Sequence, residues 1–202
     1  MQLRINEIFT SFQGEGKYVG LPVVFLRVSG CNLSCEFCDT NFEEFTSIDI
    51  YDIYKKLIKK CHNNNINTVV ITGGEPTLYE NELKKLIRML SQSNINVHIE
   101  SNGLNGVYFN NCYHTISPKK HIEDVFQNYY QKKDLNFKFV IKNEEDIKEI
   151  SQLIEKYNYK EIVYIQPESS NDIKITQMII KNFNKFDNIK ISCQVHKHLQ
   201  VK

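Results

Sequence analysis

Cys31-Asn32-Leu33-Ser34-Cys35-Glu36-Phe37-Cys38-Asp39-Thr40 places three of the chain's six cysteines within eight residues, directly after the apolar run Val23-Val24-Phe25-Leu26. Three soft thiolates on one short loop can converge on zinc or on an iron–sulfur cluster, and a cluster so held keeps one iron without a protein ligand. A structural zinc site draws four protein ligands, usually from two separated pairs. Cys61, Cys112 and Cys193 stand singly and supply no second pair. The spacing therefore favours a three-cysteine cluster with one open iron, a place for chemistry, over a closed zinc site.

The run at 23–28, bounded by Pro22 and Gly30, reads as a buried strand with the cysteine loop at its C-terminal end. The same unit recurs downstream. A second buried strand over 68–72 ends in Gly73-Gly74-Glu75-Pro76 and leads to a helix marked by Leu83, Leu86, Ile87 and Leu90. Further strands are predicted over 96–100, 114–117, 137–141 and 162–166, and a seventh over 189–195 after a helix at 173–183. Ser47 or Asp49 can cap a helix carrying Ile50, Ile53, Leu57, Ile58 and Cys61, and Asn143 one carrying Ile147, Ile150, Leu153, Ile154 and Tyr157. Residues 105–112 are too short and too rich in Asn and Gly for a crossover helix. Residues 1–9 suggest a short strand, and 9–20, with three glycines, a loop whose backbone can approach another group closely. Cys61 and Cys193 read as packed residues. Alternation of this kind specifies an α/β fold with a mainly parallel sheet, one domain over 1–202. Right-handed crossovers put every strand's C-terminal end on one face. CNLSCEFCDT, GGEP, SNG, SPK and QPES each follow a strand, and such loops line the ligand face of barrels and open sheets.

Bulk composition narrows the function classes. Lys+Arg 25 against Asp+Glu 24 gives a net charge of +1, so no polyanion-binding face and no direct nucleic-acid partner is expected. Clustered cysteines without an apolar N-terminal signal region point to a reducing cytoplasm. No apolar run is long enough to cross a membrane.

The CxxxCxxC loop after the first buried strand, followed by GGEP, resembles the radical S-adenosylmethionine enzymes. That resemblance implies a partial (β/α) barrel with abbreviated helices, a [4Fe-4S] cluster on Cys31, Cys35 and Cys38, and S-adenosylmethionine on the open iron. It further implies cofactor contacts from Phe37, Cys38, Asp39, Gly73, Gly74, Glu75, Ser101, Ser117, Lys119, Gln166, Glu168 and Ser169. No catalytic side chain is implied beyond the cofactor's radical.

Phe9-Thr10-Ser11-Phe12-Gln13-Gly14-Glu15-Gly16, Phe25-Leu26-Arg27, Thr72 to Pro76, Ser117-Pro118-Lys119 and Gln194-Val195-His196-Lys197 resemble one subfamily, the 7-carboxy-7-deazaguanine synthases of queuosine biosynthesis. Phe37 stands where many members have Trp. The resemblance implies a lyase-type ring contraction of 6-carboxy-5,6,7,8-tetrahydropterin with loss of ammonia. Phe12, Gln13, Gly14, Arg27, Thr72 and His196 would contact this substrate, and Thr40 would place a hydroxyl on Mg²⁺, a hard ion suited to oxygen ligands. An electron donor such as flavodoxin or ferredoxin and a homodimer are implied as partners. The competing readings are an activase acting on a glycyl-radical partner protein and, from a different class, a zinc-binding interaction module.

Overall fold

The computed structural model describes residues 1–35, 38, 44–169 and 173–201. The strands are β1 (Gln2–Phe12), β2 (Pro22–Val28), β3 (Thr46–Asp49), β4 (Thr68–Gly73), β5 (Asn96–Ser101), β6 (Tyr113–Ile116), β7 (Leu135–Ile141), β8 (Val163–Pro167) and β9 (Ile189–Ile191). The helices are α1 (Ile50–Asn64), α2 (Glu80–Gln92), α3 (Ile122–Tyr129), α4 (Glu144–Lys156), α5 (Ile173–Phe183) and α6 (Val195–Leu199). All the strands share one open sheet, ordered β3-β1-β2-β4-β5-β6-β7-β8-β9. From β2 to β9 every neighbouring pair is parallel, so the loops after these strands emerge on one side.

Period-2 alternation divides the sheet into an apolar outer face and a polar inner one. Leu26, Val28, Ile71 and Ile99 pack outward against Ile53 and Leu57 of α1 and Leu83 and Leu86 of α2. Ile116, Phe137, Phe139 and Ile165 pack against Phe126 of α3, Ile150 of α4 and Ile179 of α5. The alternate positions turn inward, where His98, Thr115, Asn136, Lys138 and Gln166 are all buried. The caps follow the sequence: Asp49 accepts the Tyr51 N–H at 2.9 Å, and Asn143 accepts the Asp146 N–H at 3.0 Å. Cys61 is wholly buried in the core, as its helical phase predicts.

Four expectations are corrected. β1 runs on to Phe12 and lies antiparallel to β2, because the cross-strand partners Phe9 and Phe25 stack at 4.9 Å and hold the ribbon together. The segment before α1 is not only a cap, since Thr46 to Asp49 pair antiparallel with β1. The last strand stops at Ile191, and the chain turns into α6 at Val195. Past that stop Ser192 and Gln194 turn inward and are buried, which leaves Cys193 exposed, not packed. Among the described residues no helix is long and apolar enough to cross a membrane.

Candidate active site

The polar inner face opens at the C-terminal ends of the parallel strands into a cavity of about 260 Å³. Phe12, Gln13, Gly14, Arg27, Thr72 and His196 line it, as do Cys31, Cys35, Cys38, Gly73, Gly74, Glu75, Ser101, Ser117, Lys119, Gln166 and Glu168. Residues from five strand-end loops thus meet at one place. Ser169 is exposed one position beyond Glu168 and is not among the lining residues. Phe37, Asp39 and Thr40 lie outside the described residues.

The three loop cysteines line the cavity, with the Cys38 N–H donating to the Cys35 carbonyl at 3.1 Å. Burial pushes the Cys31 thiol up, an N–H from Leu33 opposes this, and the charges of Glu75, Cys35 and Cys38 push it further. Burial thus disfavours the Cys31 thiolate, which a cationic metal would favour. The other cysteines are engaged elsewhere or face away. Cys61 is core, Cys112 lies 3.3 Å from His114 Nε2 and donates to the Phe109 carbonyl at 3.4 Å, and Cys193 is exposed.

The glycines after β4 fasten this loop. A Cβ on Gly74 would stand 1.8 Å from the Gly30 carbonyl oxygen, and one on Gly73, at φ +115°, 2.4 Å from that of Val28. Close approach allows the Gly74 N–H to bond the Val28 carbonyl at 2.9 Å and the Glu75 N–H to bond that of Gly30 at 2.8 Å. Gly74→Ala is expected to destabilise the fold by about 3 kcal/mol or more, because backbone on both sides must yield. Gly106→Ala, which meets nothing within 4 Å but has φ +66°, should cost about 1–2 kcal/mol. Denaturant midpoints compare them.

Glu75 is 1% exposed and fully engaged. Its Oε1 accepts from the Thr77 N–H at 2.9 Å, the Thr77 hydroxyl at 2.6 Å and the Ser101 hydroxyl at 2.8 Å, while Oε2 accepts from the Asn102 N–H at 2.8 Å. The carboxylate thus ties the loop after β4 to the loop after β5. Asn102 in turn donates to Asn32 Oδ1 at 2.7 Å and brings the cysteine loop into the same network.

Glu100 accepts from Gln13 Nε2 at 2.9 Å and from the Thr72 hydroxyl at 3.1 Å. Arg27 pairs with Glu7 at 2.7 Å and lies over the Phe9 ring, 4.9 Å from its centroid. Lys119 donates to the Ser117 hydroxyl at 2.8 Å. Burial, reinforced by the charge of Lys138, pulls its ammonium down to about 8 against the opposing charges of Glu15, Cys35 and Glu100. Glu168 pairs with Lys142 at 3.6 Å. Burial alone would raise the Glu15 carboxyl, but the Lys138 charge and hydrogen bond, with help from Gln194 and His196, hold it at about 2. Glu7, Glu100 and Lys138 were not singled out by sequence, and Glu15 and Gln194 stood inside quoted motifs with no role of their own. The available signal was a charged residue inside an otherwise apolar strand, as at Lys138 in LNFKFVI and Glu100 in NVHIES.

The model of the Radical SAM superfamily matches residues 26–107. A 7-carboxy-7-deazaguanine synthase of Bacteroides thetaiotaomicron is 33% identical over 208 residues, covering all of both chains. One from Methanocaldococcus jannaschii is 31% identical over 98% of this chain and 85% of its own. The chain belongs to the 7-carboxy-7-deazaguanine synthase family. The crystal structure of QueE from Escherichia coli shares the fold, with a TM-score of 0.78 at 24% identity over 97% of this chain and 95% of that one.

Membership makes this chain a radical S-adenosylmethionine enzyme, and its residues fit the cluster that the family implies. Three thiols edge one cavity, and no other cysteine reaches it. Among the described residues no three His, Cys, Asp or Glu side chains already surround one point where a single metal ion would sit. The donor set suits a multi-iron cluster, in which each thiolate binds a different iron. In this 7-carboxy-7-deazaguanine synthase the same cavity is also lined by Arg27, Thr72 and Glu100.

Proposed function

We propose that this cavity takes a [4Fe-4S] cluster on Cys31, Cys35 and Cys38, S-adenosylmethionine beside Gly73 and Gly74, and 6-carboxy-5,6,7,8-tetrahydropterin at the end bounded by Phe12, Gln13, Arg27 and His196. The carrying observation is that loops from five parallel strands converge on one cavity lined both by the three loop thiols and by Arg27. Bound here, the cluster and S-adenosylmethionine would supply radical chemistry at C6 of the substrate. A hydrogen taken from C6 must return to the rearranged ring as the ring contracts and ammonia leaves, so product and ammonia together equal the substrate and no net oxidant is needed.

The chain's own groups bind and orient. Arg27 exchanges part of its pairing with Glu7 for the substrate carboxylate, which its planar fork matches better than an ammonium would. Gln13 and Thr72, both held on Glu100, present fixed polar atoms to the pterin edge. Ser101, Ser117, Lys119, Gln166 and Glu168 surround the cofactor end. The backbone at Gly73 and Gly74, set by its close packing on Val28 and Gly30, meets the methionine amino group. Thr40 contributes a hydroxyl to Mg²⁺, with substrate oxygens and water completing the shell. An electron donor of the flavodoxin or ferredoxin kind, a homodimer and a cytoplasmic setting belong to the same reading.

Anaerobic incubation of reconstituted protein with S-adenosylmethionine, a reductant and the carboxypterin tests it by mass analysis. The expected product is lighter than the substrate by one ammonia. A colourless protein with one zinc per chain and no conversion would overturn the reading.

A further inference from the structure

The loop between β1 and β2 does more than join two strands. From Gln13 onward it crosses the polar inner face and touches one strand after another. Gln13 reaches Glu100 of β5, Tyr18 meets His98 and Tyr113 edge-on at 5.0 and 5.6 Å, and Glu15 pairs with Lys138 of β7. The Gly16 N–H then donates to the Ser192 hydroxyl at 3.2 Å, just past β9.

The carboxyl-terminal segment closes on the same loop. Gln194 Nε2 donates to Glu15 Oε1 at 2.9 Å, Lys197 Nζ donates to Gln194 Oε1 at 2.9 Å, and the Val195 N–H donates to the Gly14 carbonyl at 3.0 Å. The His196 ring fills the space over Gly14, where a Cβ would stand 2.0 Å from Nδ1. Glu15 and Lys138 hold the junction with side chains only 14% and 9% exposed. A buried ion pair adds little net stability over an apolar pair of similar size. What it can fix is the register of the groups it joins.

We propose that Glu15 is a positioning residue: through Lys138 and Gln194 it fastens the β1–β2 loop to the carboxyl-terminal segment, so that Gln13 and His196 face the substrate as one unit. The substrate half rests on the function proposed above, and the fastening does not. Two variants test it in full-length, cluster-loaded enzyme. Glu15→Gln removes the charge, and Gln194→Ala removes the link while leaving the Glu15–Lys138 pair in place. Both should speed amide hydrogen exchange over 192–199 by about tenfold, the scale of one lost hydrogen bond to a charged group. Both should raise KM for the carboxypterin by about tenfold while changing uncoupled cleavage of S-adenosylmethionine by less than about twofold.

A Glu15→Gln/Lys138→Met double variant separates positioning from mere stability. It removes the ammonium that has lost the Glu15 charge and should recover thermal stability while KM stays high. Recovery of KM together with stability would overturn the proposal, as would unchanged exchange over 192–199 in both single variants. Faster exchange with no turnover even by the unsubstituted enzyme would support the fastening and sink the carboxypterin reading.

Discussion

Replacing Cys31, Cys35 or Cys38 singly by alanine is expected to remove the cluster and lower turnover by more than about a thousandfold, because the cofactor carries the chemistry and no side chain can substitute for it. Each thiol edges the same cavity, and Cys31 is coupled to the other two. Alanine at Cys61, Cys112 or Cys193 should leave iron content unchanged. Cys61→Ala opens a small gap in a wholly buried site, costing about 1 kcal/mol of stability. Iron and sulfide per chain, read with visible absorbance on anaerobically reconstituted protein, decide between the two sets. Loss of iron from a folded Cys61, Cys112 or Cys193 variant would mean that a fourth thiol closes the site, and the open iron would be gone.

Arg27→Ala is expected to lower kcat/KM for the carboxypterin by about 10²–10³, the loss of a charge-assisted pair of hydrogen bonds to a carboxylate. Cleavage of S-adenosylmethionine without substrate should continue. Fold stability should change little, by about 0–1 kcal/mol, because the Arg27 and Glu7 side chains are 28% and 23% exposed and solvent screens their pair. The lost cover over Phe9 adds a small packing penalty. Arg27→Lys restores the charge without the fork and should recover only part of the loss. Steady-state kinetics and 5′-deoxyadenosine formation measured side by side check this. Loss of both activities together would place Arg27 with the cofactor or the fold.

What sequence made legible is the repeating part of the molecule. Buried parallel strands are short, nearly continuous apolar runs, so β2 and β4 announce themselves, and polar motifs immediately after them fall on one face by topology alone. The elements that escaped lack that signal. β3 is four residues of an edge strand, TSID, with an exposed to half-buried pattern. β9 keeps only Ile189 to Ile191 before polar residues turn the chain toward α6. Within the site, single motifs could be found but not their partners. Lys138 meets Glu15 across 123 positions, and Gln194 meets it across 179. No local pattern encodes such pairs. Glu75 shows the converse, since its motif marked it for the cofactor, while the structure commits its side chain to Thr77, Ser101 and Asn102.

In the proposed function hydrogen passes from substrate to cofactor inside the one cavity that the three thiols and Arg27 line. Carboxypterin carrying deuterium at C6, incubated anaerobically with cluster-loaded enzyme, S-adenosylmethionine and reductant, tests this directly by mass analysis of the recovered S-adenosylmethionine and 5′-deoxyadenosine. The account predicts deuterium in this pool alongside a product lacking one ammonia. Conversion of the carboxypterin with no deuterium in either compound would contradict it.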